Sequence, residues 1–138
     1  MLITNAKYYF SSWEDVADGI KILAEKIKKE VDIRDITEIV GIARGGLIPA
    51  VMLSHFLGIK YSAEVSLSLM NSDKVIIIDD IADSGRTFEN IVIGNQTIIC
   101  SLYMRSKRCS KKTRDNLIYA YEVNNDDWLV FPWEIGDR

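Results

Sequence analysis

Residues 74–87 read KVIIIDDIADSGRT, and this stretch decides which fold the chain can adopt. Four apolar residues in succession, without polar alternation, are typical of a strand buried on both faces in a parallel sheet covered by helices. Two acids and a polar turn follow these apolar residues directly. Because ligands of open parallel sheets bind beyond the carboxyl ends of the strands, the stretch predicts both the centre of an α/β fold and the position of a site.

The segments on either side have the patterns of helices and further strands. Ser12 precedes apolar residues at helical spacing, which predicts a helix over residues 13–30. A second helix is predicted over residues 47–57, with Gly58 as its stop. Short runs that favour strands lie at residues 38–43, 59–65, 97–103 and 118–123. The sequence therefore predicts one α/β domain with a mostly parallel central sheet flanked by helices.

Composition and charge exclude several classes of protein. With 138 residues, 48% of them hydrophobic and 27% charged, the chain matches one globular domain rather than a disordered segment. Two cysteines are too few for a disulfide framework, and no apolar stretch is long enough to span a bilayer, so we expect a cytoplasmic protein without a membrane partner. A net charge of −3 disfavours nucleic acid as a partner. A small ligand is the better expectation.

The polar turn after the buried strand suits a phosphorylated sugar. Residues 83–87 offer backbone N–H groups, a flexible glycine and two hydroxyls, which are groups that bind phosphate; they are Asp83, Ser84, Gly85, Arg86 and Thr87. Carboxylates repel phosphate, so Asp79 and Asp80 need another role. They could accept hydrogen bonds from sugar hydroxyls or lie beside a hydrated Mg²⁺. Phosphate and diol together indicate a phosphorylated ribose.

Residues 75–87 resemble the phosphoribosyl-pyrophosphate signature of the type I phosphoribosyltransferases. The resemblance implies that Asp79 and Asp80 contact the ribose hydroxyls, and a metal only indirectly, while residues 83–87 hold the 5′-phosphate. It also implies that Asp83 accepts a proton from the purine ring. The substrates would be phosphoribosyl pyrophosphate and a purine base, the cofactor Mg²⁺, and the assembly a homo-oligomer, either dimer or tetramer.

Two further segments resemble parts of the same family. Residues 43–46, Ala-Arg-Gly-Gly, are similar to its pyrophosphate loop, which implies that Arg44 and Gly45 bind pyrophosphate. Residues 126–134 are similar to the tail of the xanthine-guanine and hypoxanthine branch, where Trp128 and Leu129 fall on base-contacting positions. That branch places a lysine after the last sheet strand, where this chain has Arg105, with Lys107 two residues later. A small C-terminal hood from about residue 105 to residue 138 would complete the single domain of residues 1–138.

The reaction implied is transfer of 5-phosphoribose to a 6-oxopurine, which releases pyrophosphate. The alternative is a non-catalytic relative that senses phosphoribosyl pyrophosphate or a nucleotide, because the stretch between Tyr61 and Lys74, where the family has a flexible loop, is short and lacks arginine. An orotate or adenine-type transferase is a third possibility, which the Trp128 tail disfavours. Release of pyrophosphate in the presence of Mg²⁺ and a purine separates the first two.

Overall fold

The computed structural model describes residues 7–63, 74–89 and 97–137. In chain order the strands are β1 (Tyr8–Phe10), β2 (Ile36–Gly41), β3 (Tyr61–Ser62), β4 (Lys74–Ala82), β5 (Thr97–Arg105), β6 (Leu117–Val123) and β7 (Trp128–Val130). The helices are α1 (Trp13–Glu30), α2 (Leu47–Leu57), α3 (Arg86–Glu89) and α4 (Lys111–Asn116), with 3₁₀ turns at Ile33–Asp35 and Ile135–Asp137.

Five strands form the central sheet in the order β3-β2-β4-β5-β6, and every neighbouring pair is parallel. The middle strand, β4, is buried on both faces: Ile76 and Ile78 enter the core beneath α1 and α2, while Val75 and Ile77 enter a second core on the opposite face. The predicted α/β class with a mostly parallel sheet is therefore confirmed. This topology brings the carboxyl ends of all five strands to one edge.

The two long helices have the predicted bounds. The Ser12 side chain accepts a hydrogen bond from the Asp15 N–H, and the Asp15 carboxylate accepts one from the Ser12 N–H, so a capping box begins α1. Gly58 ends α2 in the left-handed conformation, at φ 69°. The helix buries its apolar face, which includes Ala50 and Leu53, against the sheet. Local sequence signals were sufficient for both helices.

Several strand bounds differ from the prediction. Strand β2 ends at Gly41 rather than at residue 43, because the N–H of Ile42 donates to the carbonyl of Ile78 and the chain then turns. Strand β4 continues to Ala82, so the acidic pair lies within the strand and not after it. The strand predicted over 59–65 is present as β3 only, and residues 64 and 65 are outside the described ranges.

A second, two-stranded sheet joins the two ends of the described chain. β1 pairs with β7 in parallel, with Tyr8 opposite Trp128 and Tyr9 opposite Leu129. The division into one domain with a hood from about residue 105 stays a prediction. The pairing adds that a segment near the N-terminus supports the strand on which Trp128 lies. In the ranges covered by the structure, no helix has both the length and the apolar character that crossing a bilayer requires.

Candidate active site

The acidic pair Asp79–Asp80 lies at the carboxyl end of β4. The N–H of Asp80 donates to Asp79 Oδ1 at 2.8 Å, and the N–H of Ile81 donates to Asp80 Oδ1 at 2.7 Å, so the backbone orients both carboxylates. Burial raises the pKa of both side chains above the usual range for aspartate. Together with the adjacent Asp80 carboxylate, it raises the pKa of Asp79 to about 8. A ligand that supplies hydroxyl groups or cationic charge would relieve this repulsion.

The Arg44–Gly46 loop packs directly on the acidic pair. A Cβ atom at Gly45 would overlap the Asp80 carboxylate, and one at Gly46 would overlap the Ile78 carbonyl. Only glycines allow this approach, because any side chain would push the loop off the end of β4. The peptide bond between Ala43 and Arg44 is cis, and the Arg44 side chain is exposed. The structure thus brings together the predicted pyrophosphate and ribose segments.

The predicted phosphate loop, residues 83–87, follows β4 at the same edge. Gly85 has φ 80° and lies against Thr113, so a side chain there would be both strained and obstructed. The side chains of Ser84, Arg86 and Thr87 are the more accessible part of the loop, and Arg86 and Thr87 open the helix that follows. Glu89 anchors this helix, because its Oε1 accepts hydrogen bonds from the hydroxyls of Ser110 at 2.9 Å and Thr113 at 3.2 Å. The loop therefore rests on α4.

Asp83 is held by two arginines that come from the end of β5 and the turn after it. Its Oδ1 accepts from Arg105 Nε at 2.9 Å and from Arg108 Nη1 at 3.1 Å, whereas its Oδ2 is 3.3 Å from Arg108 Nη1. Arg108 also reaches Asp126 through Nη2 at 3.2 Å. The loop that follows β4 and the segment that precedes β7 are therefore connected by arginine side chains.

Arg105 is the buried member of this cluster, with 4% of its surface exposed. Besides Asp83, its guanidinium donates to the carbonyl oxygen of Asn125 and, at 2.9 Å, to that of Asp127. Burial of a guanidinium is tolerated when it is paired and hydrogen-bonded, as here. The residue predicted to face the purine is therefore oriented by the phosphate loop on one side and by the backbone before β7 on the other. Lys107, the alternative cation, is exposed in the turn after β5.

The two predicted base-contacting residues lie side by side on β7 with opposite exposure. Trp128 is 62% exposed, whereas Leu129 is buried. Adjacent strand residues point to opposite faces, so the indole is directed away from the core that Leu129 enters. The backbone N–H of Trp128 donates to the carbonyl of Lys7 at 2.8 Å, which fixes the strand. An exposed indole on a fixed strand is available for stacking.

Sequence reasoning missed three contributors to this site. Arg108 lies in a run of basic residues between positions 105 and 114, a pattern typical of a solvated loop. Its spacing of three residues from Arg105 was the one available signal. The carbonyl groups of Asn125 and Asp127 had no signal in the sequence, because backbone acceptors become visible only when the chain is folded. Both findings concern how Arg105 and Asp83 are held in place.

The described residues contain no group of three or more His, Cys, Asp or Glu side chains placed to hold a metal ion. At the end of β4, Asp79 and Asp80 offer two adjacent carboxylates. Mg²⁺ commonly binds through one or two carboxylates and takes its other ligands from water and substrate phosphates. The acidic pair therefore fits a magnesium ion that arrives with a phosphorylated substrate.

Comparison with known proteins gives relatives that include purine phosphoribosyltransferases. No protein-family model matches the chain. The xanthine-guanine phosphoribosyltransferase of Cereibacter sphaeroides is 25% identical, over 97% of this chain and 91% of that protein. Among solved structures, a purine phosphoribosyltransferase from Pyrococcus horikoshii has a TM-score of 0.68 and 28% identity, covering 93% of this chain and 94% of that one.

The fold likeness extends to more distant proteins. The Helicobacter pylori xanthine-guanine-hypoxanthine phosphoribosyltransferase has a TM-score of 0.71 at 17% identity, covering 94% of this chain and 95% of that one. The matches extend over nearly the full length of both partners, so the similarity is not confined to the segment after β4. The predicted resemblance is confirmed: this chain has the type I phosphoribosyltransferase fold, and the three relatives named here are purine phosphoribosyltransferases.

Proposed function

We propose that this protein transfers 5-phosphoribose from phosphoribosyl pyrophosphate to a 6-oxopurine base, with formation of a purine nucleoside monophosphate and pyrophosphate. The observation that carries the proposal is the contact between Gly45 and the Asp80 carboxylate, with the 83–87 loop at the same strand end. Three segments with different predicted roles meet at this strand end. Their chemistry matches the ribose, the pyrophosphate and the 5′-phosphate of one substrate. The relatives are named as transferases, which favours turnover over a purely sensing role.

Each segment has one part of the substrate to bind. Asp79 and Asp80 accept hydrogen bonds from the ribose hydroxyls, which also relieves the cost of holding two carboxylates together. The exposed Arg44 side chain and the backbone of Gly45 bind the pyrophosphate. Ser84, Thr87 and the backbone of the loop bind the 5′-phosphate.

Chemistry takes place at the anomeric carbon of the ribose. The bond from C1′ to the pyrophosphate oxygen breaks, a bond from C1′ to a purine ring nitrogen forms, and the proton on that nitrogen leaves. Asp83 is the acceptor for this proton. Its Oδ1 already accepts from two arginines, whereas its Oδ2 has one long contact and is the freer oxygen. Asp79 and Asp80 would hold Mg²⁺ through water or the ribose hydroxyls, and the ion would supply positive charge to the leaving pyrophosphate.

The base is held by the groups around Arg105. Three of the five guanidinium N–H groups serve Asp83 and the two backbone carbonyls before β7, so two remain to donate to a 6-oxo group. Adenine presents an amino donor at that position and would leave the buried charge facing another donor. Trp128 stacks on the purine ring, and Leu129 lies next to it on the strand. Base stacking on an aromatic side chain contributes roughly 1–3 kcal/mol.

A turnover screen tests the function directly. Hypoxanthine, guanine, xanthine, adenine and orotate are each incubated with phosphoribosyl pyrophosphate and Mg²⁺, and the pyrophosphate released is measured. Turnover of at least one 6-oxopurine is expected, with adenine and orotate far slower. Turnover of adenine at the same rate as hypoxanthine would contradict the role of Arg105. If none of the five bases supports the release of pyrophosphate, the proposal is wrong.

A matched pair of variants tests the role of Asp83. Asp83→Asn is expected to lower kcat by about 10²- to 10⁴-fold with phosphoribosyl pyrophosphate affinity nearly unchanged, because the amide cannot take up the proton whereas its oxygen can still accept from Arg105 and Arg108. Asp126→Asn removes a carboxylate that also pairs with Arg108 but is 86% exposed in its side chain, and it should change kcat little. Equal effects of the two substitutions would reassign the role.

Ligand affinities test the remaining assignments. Asp80→Asn should weaken the binding of phosphoribosyl pyrophosphate in the presence of Mg²⁺. Thr87→Ala should weaken the binding of a nucleoside monophosphate more than that of the nucleoside. Calorimetry measures both affinities. Unchanged affinities in both variants would contradict the assignment of this site. The homo-oligomer of two or four chains and the cytoplasmic location stay predictions, and light scattering would measure the first.

A further inference from the structure

A pocket of about 280 Å³ lies between the start of α1, the end of β6 and the segment before β7. Its lining shares Leu129 with the predicted site residues and none of the phosphate or ribose residues, so the pocket is distinct from that region. Tyrosines and acidic or amide side chains form most of its wall, together with Val123; they are Tyr9, Asp15, Tyr103, Tyr121, Glu122, Asn124, Asn125 and Asp127.

The tyrosine rings of this wall pack on one another. The ring centroids of Tyr103 and Tyr121 are 5.0 Å apart, and those of Tyr9 and Tyr103 are 6.5 Å apart in an edge-on arrangement. Hydrogen bonds hold the rings in place, because Tyr9 donates to the Asp15 carboxylate and Tyr121 to the Asp15 carbonyl. The pocket therefore has a preorganised wall that includes three tyrosine rings.

The charged side chains that line the pocket are all acidic. Asp15, Glu122 and Asp127 contribute carboxylates, and among the residues that the structure describes its lining includes no lysine, arginine or histidine. The N-terminus of α1 opposes them with a partial charge of about +0.5. The Arg105 guanidinium lies behind the carbonyls of Asn125 and Asp127, but it is paired with the Asp83 carboxylate. The three lining carboxylates outweigh the partial charge of the helix, so the net field in the pocket favours a positively charged occupant.

We propose that this pocket binds a small organic ammonium ion. The tyrosine rings would contact its alkyl groups and the three carboxylates would balance its charge. A metal ion would use only the carboxylates and leave the aromatic wall without a function, whereas a neutral aromatic molecule would gain nothing from the carboxylates. An alkylammonium uses both features of the pocket at once.

The pocket also shares a wall with the predicted base site. Asn125 and Asp127 line it, and the same two residues give their carbonyl oxygens to Arg105, which holds Asp83. An occupant that fixes this segment also fixes the position of Arg105. The bound cation therefore acts as an effector of purine binding. This effector role rests on the proposed function, whereas binding of the cation does not.

Calorimetry with a charged probe and its neutral isostere tests the binding. The probes are choline and 3,3-dimethylbutan-1-ol, which have nearly the same shape and differ in the positive charge. We expect the intact protein to bind choline about tenfold more tightly than the alcohol, or better. Equal affinities, or no binding of choline, would overturn the proposal.

Charge-matched variants locate the site. Glu122→Gln should weaken choline severalfold, whereas Glu25→Gln, which removes the same charge from an exposed position on α1, should leave its affinity unchanged. Both side chains are exposed, so both variants should keep the thermal unfolding midpoint of the parent. Equal choline affinity in the Glu122→Gln variant and the parent would show that the ion binds elsewhere and contradict the assignment.

A linkage measurement tests the effector role separately. Choline affinity is measured with and without a saturating purine nucleoside monophosphate, and the two ligands should change each other's affinity by the same factor. A choline affinity unaffected by bound nucleotide would overturn the effector role. If no nucleotide binds at all, the proposed function fails, while the choline titration still decides whether the pocket is a cation site.

Discussion

Replacing Asp79 with asparagine is expected to make the protein more stable and, at the same time, less able to bind phosphoribosyl pyrophosphate. Asp79 and Asp80 are adjacent at the end of a buried strand, and burial together with the Asp80 charge raises the pKa of Asp79 to about 8. Asparagine has nearly the same shape and never ionises. The Asp79→Asn variant therefore keeps the packing and removes the electrostatic cost.

The direction of the pH dependence follows from the raised pKa. In the unfolded chain an aspartate has a pKa of about 4, so between about pH 4 and pH 8 the folded protein binds more protons than the unfolded chain. The stability of the parent protein therefore falls as pH rises through this range. The Asp79→Asn variant lacks this contribution, and its advantage should be absent near pH 4 and fully developed near pH 8.

The size of the effect has an upper bound. At pH 7 the pH lies about three units above the pKa of the unfolded chain and still below that of the folded protein, so at about 1.4 kcal/mol per unit the bound at pH 7 is about 4 kcal/mol. Because the two carboxylates relax and keep some contact with water, we expect about 1–2 kcal/mol. Urea denaturation at pH 4.5, 6 and 8 measures it, with Asp18→Asn, on the solvent side of α1, as control. An Asp79→Asn variant no more stable than the parent at pH 8, or equally stabilised at all three pH values, would refute the reasoning.

Three further substitutions test other contacts. Gly45→Ala should weaken the binding of phosphoribosyl pyrophosphate at least tenfold, because the added Cβ atom would overlap the Asp80 carboxylate. Gly136→Ala, where the added atom meets open space, is the control, and calorimetry measures the affinity of both variants. Arg105→Ala should raise KM for hypoxanthine or guanine more than KM for phosphoribosyl pyrophosphate, with Lys107→Ala as comparison in steady-state kinetics. An effect confined to Lys107→Ala would show that Lys107, and not Arg105, is the cation that binds the base. Tyr103→Phe removes a buried 3.0 Å hydrogen bond and should lower the free energy of unfolding by ~1 kcal/mol, whereas an unchanged urea midpoint would mean that the bond contributes nothing.

The sequence alone was sufficient for the elements whose signals are local. The capping box at Ser12, the helical periodicity after it and the stop at Gly58 determine α1 and α2, because helical hydrogen bonds join residues four apart. The apolar run from Val75 to Ile78 determined a strand buried on both faces and, with it, a parallel sheet. The acids and the phosphate loop follow that run directly, so the sequence alone predicts that they lie at the carboxyl end of β4.

What only the tertiary structure decided is how segments far apart in the chain touch. The packing of Gly45 on Asp80 depends on β2 and β4 being neighbours in the sheet. The pairing of β1 with β7 joins residues more than a hundred positions apart in the chain and has no local pattern. The environment of Arg105 is decided in the same way: its partners are one carboxylate and two backbone carbonyls, and carbonyls are identical in every residue. Sequence patterns report which face of an element is buried, whereas the partner on that face depends on strand order and on the path of the connecting loops.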